Sequence, residues 1–132
     1  MADGGRRRGR KPSWQLGQAT VEVALTLPVV VLFALIAAQV GLVAADMILV
    51  RHAAREGARA AAVAPSPEAA RAGAVGSTSL AGDRMSVRLT GGSARGDRAT
   101  VTVRYRSPTD VPLVGRLVGD ITVSAEVTMR VE

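Results

Sequence analysis

The chain has 132 residues, a net charge of +6, one histidine and no cysteine. Those counts exclude a disulfide framework and any cysteine-based metal or thiolate site. The three aromatic residues are not grouped as a stacking platform, so the basic charge is not read as a nucleic-acid surface.

In chain order, residues 1–17 read as a basic cytoplasmic leader. "MADGGRRRGRKPSWQL" holds five basic residues against Asp3, and basic residues beside a first span tend to stay in the cytoplasm. From Val23 to Ala45 there are 23 residues without a charge. A helix of that length covers ~34 Å, enough for a hydrocarbon core of about 30 Å. A helix apolar on every side would otherwise need a large protein around it, which a chain of this length does not supply. Residues 18–45 are therefore expected to form a transmembrane helix that also serves assembly. It should begin near Gln18 to Thr20 and loosen or kink at Pro28, where the proline removes a backbone donor. Ala34–Ala38, Ala37–Gly41 and Gly41–Ala45 are small-xxx-small pairs that let spanning helices approach closely. Gln39 adds an amide able to bond across such a contact.

A secretory signal cut after "VAA" (Val43 to Ala45) is an alternative. Its apolar core would exceed the usual length of roughly 7–15 residues, and the helical pattern continues past the cut, so retention of the span is expected.

Residues 46–64 continue the helix in amphipathic form. His52, Arg55, Glu56 and Arg59 share one face; Val50, Ala54, Ala58 and Ala61 share another. Pro65 and Pro67 end it. Residues 65–132 form an extracytoplasmic domain, with a short helix from Glu68 to Val75 closing at Gly76. The period then changes to two. "RMSVRLT", "ATVTVRYR" and "ITVSAEVTMRV" each alternate apolar and polar residues, as antiparallel strands with one dry face do. "GGSARGD" joins the first two as a hairpin. "SPTDVPLVGRLVGD" separates the second and third and carries its own apolar patch. Three strands alone are marginal, and the alanine-rich helix face is the expected cover. The fold class is α+β: a long N-terminal helix packed on a small antiparallel three-stranded sheet.

No catalytic constellation is evident. His52 and Glu56 lie one turn apart, but a zinc site needs three or four ligands. No serine sits in a G-x-S-x-G elbow, and "GGSARGD" lacks the ending of a phosphate loop. No enzyme, metal or other cofactor is expected.

Glu22 is the anomaly, a carboxylate directly ahead of the apolar run, where charge is expensive. Gly17, Ala19, Val21, Glu22, Ala24, Leu25, Leu27 and Pro28 in "GQATVEVALTLP", with "RHAAREGARAAA" further on, resemble a type IV prepilin. The closer similarity is to the TadE-like family of minor pilins, or pseudopilins, of tight-adherence (Flp) pili, over about Gly17 to Val63. The family often has an aromatic residue after the glutamate; Val23 stands here. The resemblance implies a prepilin peptidase that cuts between Gly17 and Gln18, making Glu22 the fifth mature residue. It also implies assembly with other pilin subunits and their machinery through Glu22, Pro28 and the small positions Ala34, Ala38 and Gly41. Cleavage would give Gln18 an α-ammonium with a pKa of roughly 8, one helical turn from Glu22. An ion pair between neighbouring subunits would fix their register more than it adds stability. An uncleaved single-pass protein whose exterior sheet binds another envelope component is the alternative.

Overall fold

The structure, a computed structural model, describes residues 14–132, so the basic cluster from Arg6 to Lys11 lies outside the described residues. Contacts divide the chain into two compact units, residues 1–34 and residues 35–132. The first contributes the start of α1, a 50-residue helix from Trp14 to Val63. The helix starts ahead of the Gln18 expected from sequence. One interior glycine, Gly17, costs only about 1 kcal/mol relative to alanine, too little to stop the helix there. It also runs continuously through Pro28.

The unit of residues 35–132 holds the sheet. After the end of α1 come α2 (Pro67–Gly76), a single 3-10 turn (Gly82–Arg84), β1 (Met85–Gly91), β2 (Arg98–Ser107), α3 (Val114–Val118) and β3 (Ile121–Arg130). The strands lie in the order β1-β2-β3, with both pairs antiparallel. Val87 opposes Val103, and Val103 opposes Ala125 on the other side. Apolar side chains therefore line up across the sheet on one face, while Thr100–Thr128 and Thr102–Glu126 hydrogen bonds form on the other. This is the α+β architecture expected from the sequence.

The dry face meets α1. Val50, Ala53, Ala54, Ala58 and Ala61 are fully buried, in one cluster with Met85, Val101, Val103, Tyr105 and Val123. Alanines suit this seam because a small side chain lets the backbones approach. Glycine extends the same logic between α1 and α2. A Cβ on Gly57 would stand 2.9 Å from the Ala70 carbonyl oxygen, and one on Gly73 would stand 2.9 Å from that of Glu56. α2 starts with a side-chain cap, the Ala69 N–H donating to Ser66 Oγ at 3.1 Å, followed by Pro67 in the first turn.

Candidate assembly site

The two ends of α1 differ in what they touch. In the unit of residues 1–34, Val21, Val23, Leu25, Leu27 and Val29 to Phe33 are all exposed, so apolar surface faces outward around the whole helix. Glu22 is the charged group on this surface, exposed on a face it shares with Ala19, Val23, Thr26, Leu27 and Val30. Gln18, four positions earlier, lies ~6 Å away along the axis, within reach of a glutamate side chain. Gly17 and Gln18 are exposed as well, and both sit inside the helix. Pro28 and Ala34 lie exposed further along.

In the unit of residues 35–132, Ala38 and Gly41 are also exposed, and a Cβ added at Gly41 meets open space. The small positions thus remain free for an approaching helix. Gln39 does not share that freedom. It is only 3% exposed, and both amide atoms lack a hydrogen-bond partner. The expectation that it bonds outward to another span is not matched by its position, because other parts of its own chain cover it.

Sequence reading also passed over a contact at the end of the apolar run. Ser107 Oγ donates to Asp46 Oδ2 at 2.6 Å, joining the last residue of β2 to the first charge after the run. Ser107 is buried, and it continues the inward series Val101, Val103, Tyr105. A hydroxyl at an inward position signals a buried polar partner, and that signal is present in the sequence. His52 and Glu56 lie on the outer side of α1, exposed and half-buried respectively. Among the described residues there is no group of three or more His, Cys, Asp or Glu side chains that could hold a metal ion.

Among the described residues, one helix is long and apolar enough to cross a membrane, and it covers Gly17–Val63. No curated protein and no solved structure matches the chain. The family model that does match spans residues 17–59, from the glycine ahead of Glu22 to the last arginine of the amphipathic stripe, and the family it describes is that of the TadE-like proteins, associated with the Tad pilus.

Proposed function

We propose that this chain is a non-enzymatic minor pilin or pseudopilin of a Tad/Flp-type pilus assembly. It is inserted with its N-terminus in the cytoplasm and its sheet outside, cut by a prepilin peptidase between Gly17 and Gln18, and assembled through α1. One observation carries the reading: a helix matched by the TadE-like family exposes large apolar side chains on all sides, with Glu22 as the charge among them. Such a surface is stable in lipid or against other helices, and a pilus subunit passes from the first to the second.

Pro28, Ala34, Ala38 and Gly41 would form the packing surface, and Glu22 would pair with the new amine of a neighbour. N-terminal sequencing of the mature protein tests the cut. A start at Gln18 supports it, whereas a start at Met1 favours a stably anchored envelope protein and a start at Asp46 a secreted domain. Glu22→Ala and Glu22→Gln should both be processed normally and fail to enter the assembly. Normal incorporation of both, measured in sheared pilus fractions, would remove the pairing role.

A further inference from the structure

The loop between β2 and β3 ends in an apolar tip that its own chain does not cover. Leu113, Leu117 and Val118 are exposed, Leu117 to 78%, while Val114 alone of α3 is buried. The neck is firmly built. Thr109 Oγ1 donates to the Gly119 carbonyl at 2.6 Å, and the Thr109 N–H to Asp120 Oδ1 at 3.4 Å. Gly115 has no room for a Cβ against the Thr109 carbonyl oxygen. Leu113 sits at φ 69°, ψ −43°, a backbone conformation that a non-glycine residue seldom adopts and that the surrounding loop must hold in place.

Two contacts fix where this tip lies along α1. Ser107, at the end of β2, bonds to Asp46, and the Glu132 N–H, just past β3, donates to the Ala62 carbonyl. β2 therefore runs against α1 toward the apolar run, and residues 108–120 leave the sheet at the Asp46 end. Gln39, buried although Ala38 and Val40 beside it are exposed, shows that chain extends past Asp46 by ~10 Å along the helix axis. The charges obey the same gradient. Asp120 lies at the neck, held by the Thr109 N–H, with Asp110 next to Thr109 in the chain, and Arg116 is the one charge between Val111 and Val118.

We propose that residues 111–118 form an interfacial anchor, with Leu113, Leu117 and Val118 inserted into the membrane leaflet that α1 leaves at Asp46. The occupant of the apolar tip is lipid, because the tip leaves the sheet beside Asp46, where the apolar run of α1 ends. Leucine and valine enter the acyl boundary, while the Arg116 stem lies along it and its guanidinium reaches the phosphates. The inference rests on the reading of residues 23–45 as a membrane span. It adds a second, detachable lipid contact, which would have to withdraw when the subunit leaves the bilayer.

The test uses the full chain in phosphatidylcholine vesicles containing acyl-chain-brominated lipid, in a Trp14→Phe background with single new tryptophans. Phe33→Trp reports the span, Leu117→Trp and Val118→Trp the tip, and Arg95→Trp the far hairpin. Bromine quenching of Leu117→Trp and Val118→Trp, alongside Phe33→Trp and with Arg95→Trp unquenched, is the expected result. Quenching of Phe33→Trp alone overturns the anchor and leaves the span intact. Blue-shifted but unquenched tip emission that depends on protein concentration assigns the tip to a second copy, and also overturns it. No quenching at Phe33→Trp refutes the span and the anchor together.

Discussion

Between residues 21 and 33, α1 exposes valine, leucine and phenylalanine; between residues 50 and 61, the same helix buries Val50 and a run of alanines. Val50 apart, large side chains point out and small ones point in, the reverse of an ordinary soluble helix. The buried half is limited by distance, because α2 and the sheet sit so close that Gly57 and Gly73 are required. The exposed half is limited by solvent. Burying one leucine or valine is worth about 1.5–3 kcal/mol, so a stretch that exposes many of them is suited to a medium other than water. Side-chain size thus separates the part that folds against this chain from the part reserved for something else.

The comparison is broken most severely at Gly57. Gly57→Leu should destabilise the sheet unit by about 3 kcal/mol, seen as a lower denaturation midpoint in mild detergent. It would do so even though leucine is the better helix former. Ser107→Ala leaves Asp46 without its hydroxyl donor, and should cost about 2 kcal/mol in the same titration. Gln39→Leu runs the other way. Replacing a buried amide that has no partner should raise stability by about 1 kcal/mol, and a fall would show that the amide is satisfied in solution. In the exposed half, Val29→Ala should change the stability of the sheet unit by no more than surface substitutions do, within about 0.5 kcal/mol in the same titration.

Most of the fold was legible because its period changes are sharp. Alternation in "RMSVRLT", "ATVTVRYR" and "ITVSAEVTMRV" placed β1, β2 and β3, and the spacing of Val50, Ala54, Ala58 and Ala61 picked out the helix face that meets them. The start of α1 was read too late: the helix includes Trp14 to Gly17, and a lone glycine costs a helix little. Contacts between residues distant in sequence were less accessible. Nothing local to Gln39 reveals that other chain covers it, and nothing local to Asp46 reveals Ser107, sixty-one positions away. For the candidate site, the sequence carried the resemblance around Glu22, because that depends on residue types at fixed spacing. The exposed tip at Leu117 was visible only as an apolar patch, since its height along α1 depends on which way β2 runs.

The strand order has a kinetic consequence. Each strand pairs with its neighbour in sequence, so the sheet can zip up in the order in which the chain is made. Docking on α1 is different: Val50 must meet Val101 and Val103, a long loop to close and therefore a slow step. Until β2 has been synthesised, the alanine face of α1 has only α2 against it, and during that interval a nascent subunit is open to capture by a chaperone or to mispairing with its siblings.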